Sequence, residues 1–128
     1  MKIKFCISWL AGLIVLLAGS SAIAHHGRAA YTDDTLELEA TITEFRFINP
    51  HVRVMFDITD SNGEIQHWQG ELTAPNRMAR GGWTKNSLKP GDKVTFTGLA
   101  GRNEGKALLI RKMVLPDGTD IPLRELLD

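Results

Sequence analysis

An all-β domain is what this chain predicts, and three observations predict it. Apolar and polar residues alternate with period two over much of the length, the signature of half-buried strands. Asp-Ser-Asn-Gly-Glu at residues 60–64 is a strong hairpin signal, because Asn-Gly accepts positive φ at little steric cost. Only one internal stretch, between Pro75 and Gly82, is framed by helix start and stop residues.

Each element follows from its own pattern. Leu36, Leu38, Ala40 and Ile42 share one face of a first strand, with Glu37, Glu39 and Thr41 on the other. The apolar phase then slips to Phe45 and Phe47, as a bulge near Thr43-Glu44 produces. A second strand follows Asn49-Pro50, with Val52, Val54, Phe56 and Ile58 inward, and a third runs from Ile65 to Leu72 with Trp68 and Leu72 inward. Thr73 or Ala74 stands at a helix cap position, Pro75 suits a first turn, and Gly81-Gly82 suits an end. Pro90-Gly91 turns the chain into a fourth strand with Val94 and Phe96 inward, Gly98–Gly105 reads as a hairpin connection, and Lys106 to Leu115 is the fifth strand, closing at Pro116–Gly118. A final helical turn is expected in the tail Ile121–Asp128.

Three strands, a short helix and two more strands is the order of a small five-stranded Greek-key barrel of the OB type. A β-sandwich wants about seven strands, so the barrel fits this length better.

Residues 1–24 read as an export signal, with 25–128 as a single barrel domain. Lys2 and Lys4 precede an apolar run from Phe5 to Ala18, and Ala22-Ile23-Ala24 fits a cleavage site. That run falls short of the ~20 apolar residues of a membrane span, so no span is expected after cleavage; an uncleaved anchor is the alternative. Cleavage takes away 24 of 128 residues, leaving 104, and with them Cys6, the one cysteine. No disulfide or thiolate ligand then remains, although a periplasmic or secreted location permits disulfides. Loss of Lys2 and Lys4 reduces 15 basic residues to 13 against 15 acidic ones, a net charge of −2. A slightly acidic exported chain argues against a nucleic-acid partner.

The candidate chemistry lies in four histidines, His25, His26, His51 and His67. Cutting after Ala24 makes His25 the N-terminus, where its free amine and ring Nδ1 chelate one ion. A further histidine supplies a third nitrogen. Such nitrogen sets favour copper(II), which heads the divalent affinity series, and both groups must be unprotonated to bind. Cutting after Ala22 places His25 third from a free amine instead, also a copper(II) or nickel(II) arrangement. The ordinary alternative is a solvated terminus.

His51 follows Asn49-Pro50 at a rigid corner, with parity opposite to Val52, so it faces outward or toward the barrel rim. Its ordinary alternative is a surface histidine bonded to a carbonyl. His67, opposite in parity to Trp68, suits a cross-strand polar partner better than a ligand. Glu71 is placed to hold a histidine ring through its free N–H, or to pair with a surface arginine. Trp68 and Trp83 read as core or rim packing before contact platforms, and Asp92 as support for its own turn. No catalytic residue stands out: Ser61 and Ser87 lack a histidine-and-acid partnership, and no phosphate-binding glycine loop occurs.

Ala24-His25-His26, Asn49-Pro50-His51, Trp68 with Glu71, Gly82-Trp83 and Leu88-Lys89-Pro90-Gly91-Asp92 together resemble an uncharacterised family of small exported bacterial proteins, a domain of unknown function. The resemblance covers essentially the whole chain after the leader and implies a barrel-like β fold and export. Gly27 stands where that family has serine, and His67 is outside its pattern. Periplasmic copper carriers and copper-dependent polysaccharide monooxygenases are similar only in using a terminal histidine. This chain lacks the Asp-x-His segment of the carriers and the usual length of the oxygenases.

The expectation is therefore an exported, monomeric metal-binding protein for copper(II), using His25, His51 and His26. One alternative is a metal-free binding module for a peptide, glycan or envelope protein, with Trp68, Trp83 and the Arg77–Arg80 region in contact. The other is a copper oxidase or oxygenase, which needs an open coordination position and a substrate surface.

Overall fold

The computed structural model describes residues 26–102 and 105–123. The chain divides into two compact units, Met1–Ala30 and Tyr31–Asp128. Within the first, α1 is a single helical turn, His26–Ala29; the leader and His25 lie outside the described residues. Among the described residues no helix is long and apolar enough to cross a membrane.

The second unit is all-β, built on a closed ring of five strands. β1 (Tyr31–Arg46), β2 (Arg53–Thr59) and β3 (Ile65–Glu71) form an antiparallel meander. The short helix α2 (Pro75–Arg80) follows, then β4 (Lys93–Gly101) and β5 (Ala107–Val114). β4 returns to pair with β1, and β5 pairs antiparallel with β4 and parallel with β3. That last pairing, Gly70 opposite Leu108, closes the ring of β1 to β5.

β1 is long enough, at 16 residues, to serve two partners. Its first part pairs with β4 and its last with β2, and Thr41 faces both Lys93 and Asp57. The register shifts between Ile42 and Glu44, so Thr43 is the extra residue of a bulge. This resets the face: Ile42 is buried before it, while Phe45 packs against the core after it, with its ring 6.3 Å from that of Trp83. At the β2–β3 hairpin, Gly63 takes φ +83°, and Asp60 Oδ1 accepts the Asn62 and Glu64 amides at 2.9 and 3.0 Å.

The ring is filled from alternate positions of every strand. Val54, Phe56, Phe96, Leu108, Ile110 and Met113 are all fully buried, and the Phe56 and Phe96 rings meet at 5.0 Å. Gly70 makes the closure possible: a Cβ there would meet Ile110 and would fall 2.8 Å from Val54 Cγ1. α2 stays short because Gly82, at φ +84°, ends it. The Gly82 amide bonds back to Ala79 and the Trp83 amide to Met78, the paired bonds of a Schellman stop. Buried Met78 and Trp83 tie this turn to the core.

The tail is extended where it begins. Asp120–Pro122 is a strand, β6, antiparallel to β5 with Ile121 opposite Met113, so the helical turn expected in Ile121–Asp128 does not start at Ile121, and residues 124–128 of that stretch lie outside the described residues. The reason is spacing: Leu123, two residues beyond Ile121, is buried to 1 % exposure, and only an extended backbone puts it inward. A strand at the sheet edge also tolerates Pro122, which has no N–H to give.

Candidate functional site

The best-built polar arrangement within Tyr31–Asp128 forms where β2 begins and β3 ends. Val52 exchanges backbone bonds with the other strand, its amide donating to Thr73 O at 3.0 Å and its carbonyl accepting from Leu72 at 2.9 Å. His51, one residue earlier and beside the cis Asn49–Pro50 bond, is thereby fixed on the face that Glu71 shares across the ladder. Glu71 pairs with Arg53 in register, so His51 is its diagonal neighbour, within reach of long side chains. His51 Nδ1 lies 2.6 Å from Glu71 Oε1.

The other carboxylate oxygen is also used. The Tyr31 hydroxyl donates to Glu71 Oε2 at 3.2 Å. Tyr31 reaches it because β1, beyond an irregularity between Tyr31 and Thr35, pairs Tyr31 with Gly101 near the closing seam. Burial pushes the phenol pKa up to about 12, helped by the Glu71 charge and its hydrogen bond and opposed by Arg53. Tyr31 is thus a neutral donor throughout the physiological range. Glu71 is mostly covered, at 16 % side-chain exposure, whereas His51 keeps 43 %. The result is a graded triad, from a buried phenol through a covered carboxylate to a half-open imidazole.

The remaining sequence candidates fall elsewhere. His67 faces Asp57 across the strands, with Nδ1 2.6 Å from Oδ1 and 83 % of the side chain exposed. It sits four residues from Glu71 on β3, roughly 13 Å at ordinary strand rise, so it cannot share a small ion with His51. Trp68 stacks on Phe56 at 6.3 Å, and its Nε1 is buried without a hydrogen-bond partner among the described residues. Trp83, at 8 % exposure, is core and has little surface to offer a partner. Asp92 Oδ2 accepts the Lys89 amide at 2.9 Å within its own turn. His26 begins α1, and His25 lies outside the described residues. Among the described residues no three His, Cys, Asp or Glu side chains are grouped to hold a metal.

Tyr31 was not singled out from sequence. It stands 40 positions from Glu71, and no local pattern marks so distant a contact.

A sequence profile described as "Family of unknown function (DUF6152)" matches residues 13–109. The chain belongs to this family. The matched span contains His25, His26, His51, His67, Trp68, Glu71 and Trp83, so every candidate residue lies inside the family's region. Membership supplies no activity, and function has to be argued from the site. No curated protein and no solved structure matches the chain.

Proposed function

We propose that this family member is exported, cut after Ala24, and binds a transition-metal ion, copper(II) by its donor chemistry, through His25. The observation that carries this reading is the double histidine set directly behind a leader-like segment. A terminal amine and its own imidazole form a chelate that no internal histidine imitates. His26 and His51 are the proposed further nitrogens. His51 Nδ1 lies 2.6 Å from Glu71 Oε1, which supports the reading, because ligand histidines are commonly oriented by a carboxylate at the nitrogen that does not bind the ion. The described residues hold no grouping of three ligands, so the proposal depends on the amine that cleavage frees.

The test is an added alanine ahead of His25 in the purified mature chain. It leaves every side chain in place but moves the amine. The copper electron-paramagnetic spectrum and affinity change if the amine is a ligand; unchanged values remove it.

A second reading has its own observation. A groove along β2 and β3 has Met55, Asp57, His67, Trp68, Gln69 and Lys106 among its lining residues, on the strands that OB barrels use for extended ligands. In a metal-free binding module this groove takes a peptide or glycan. Partner binding then survives chelator treatment and replacement of both terminal histidines.

A further inference from the structure

We infer that Glu71, anchored by Tyr31, is a positioning residue that fixes neutral His51 as its Nδ1–H tautomer and reserves the Nε2 lone pair for a divalent transition ion. The donor clause rests on the metal reading above; the tautomer clause does not.

Three observations meet here. His51 Nδ1 is 2.6 Å from Glu71 Oε1, and an ionised carboxylate is acceptor-only, so a neutral ring that donates to it carries its proton on Nδ1. Second, Glu71 is held from behind by the Tyr31 hydroxyl at 3.2 Å, with burial keeping that phenol protonated. The carboxylate cannot swing to Nε2 without giving up this bond. Third, the His51 side chain remains 43 % exposed while that of Glu71 is 16 % exposed, so the imidazole is the open member of the triad, and Nε2 is the nitrogen that does not face Glu71. Which nitrogen of a ligand histidine binds is set by the bond the other makes, and a carboxylate behind it raises its basicity. The position also suits a fixed donor. His51 directly precedes the doubly bonded Val52, so its ring starts from a pinned backbone.

The experiment reads the His51 ring nitrogens by long-range 1H–15N NMR in the metal-free mature protein, above the pH at which the ring is neutral. Wild type shows Nδ1–H with an unprotonated Nε2. Glu71→Ala shifts the population toward Nε2–H, and Glu71→Gln, whose amide oxygen still accepts, restores Nδ1–H. Tyr31→Phe, which keeps the ring packed, moves the population part-way. In copper(II) titrations Glu71→Ala loses about 10–100-fold in affinity, while Glu71→Gln stays close to wild type. An Nε2–H tautomer in wild type, or the same tautomer in Glu71→Ala, overturns the inference and leaves a terminal-amine site untouched. An unchanged population in Tyr31→Phe removes Tyr31 from it. Wild type that binds no copper overturns the proposed function and the donor clause together, while the tautomer result stands on its own.

Discussion

The Tyr31 hydroxyl donates to Glu71 Oε2 at 3.2 Å, joining the start of β1 to the end of β3 across 40 residues. Because the chain has one tyrosine, this bond has its own optical reporter. Burial first, then the Glu71 charge and hydrogen bond, raises the phenol to about 12. Phenolate absorbance in the folded protein therefore rises with a midpoint near 12. Glu71→Gln removes the charge while burial persists, so its midpoint falls but stays above the ordinary value of 10.0. A wild-type midpoint near 10 contradicts the contact.

The same shift has a sign for stability. The folded state keeps the Tyr31 proton where the unfolded chain has released it. Its contribution is therefore complete below pH 10 and is lost as pH climbs from there toward 12. Tyr31→Phe should flatten this part of the stability–pH curve, as followed by urea unfolding.

Acid acts on a different residue. Asp60 is held below its ordinary 3.8 by the Glu64 amide first, then by the Gln66 side chain. A lowered carboxyl stabilises the fold above its ordinary value and ceases to do so as pH falls through the folded value. The stability gap between wild type and Asp60→Ala should be constant above pH 4 and close progressively below it. A gap that widens in acid contradicts the turn geometry.

Ring closure and core filling make separate demands. At Gly98 a Cβ would fall 2.9 Å from Leu108 Cγ and against the Leu109 carbonyl, a backbone atom that cannot step aside. Gly98→Ala should cost about 1–3 kcal/mol by overpacking. Phe56→Ala, which empties the centre of the barrel, should cost about 3–5 kcal/mol. Denaturant midpoints check both.

His67 provides a control. Its pair with Asp57 is largely exposed, so His67→Ala should change stability by about 0–1 kcal/mol and leave copper(II) affinity as it was. A tenfold loss of affinity would bring His67 into the site.

Much of the barrel was legible because its signals are local. Period-two burial, the slip of phase from Ile42 to Phe45, the Asn62-Gly63 turn and the Pro75-to-Gly82 frame each lie within a few residues of one another. The start of the tail departs from the expected helical turn because Ile121 and Leu123 are spaced for a strand. The candidate site divides along the same line. The parity of His51 and Glu71 follows from β2 and β3, whereas Tyr31 joins them only through the pairing of β1 with β4 and the parallel seam of β3 and β5. Contacts made by ring closure leave no mark in a sequence window.

The proposed function turns on proteolysis creating the chelate, and the native mass of the protein recovered after expression with residues 1–24 in place tests it most directly. Measured without chelator after expression with copper available, the mass should equal residues 25–128 plus one copper ion. A chain that keeps its leader, begins well away from His25, or carries no ion would contradict the account.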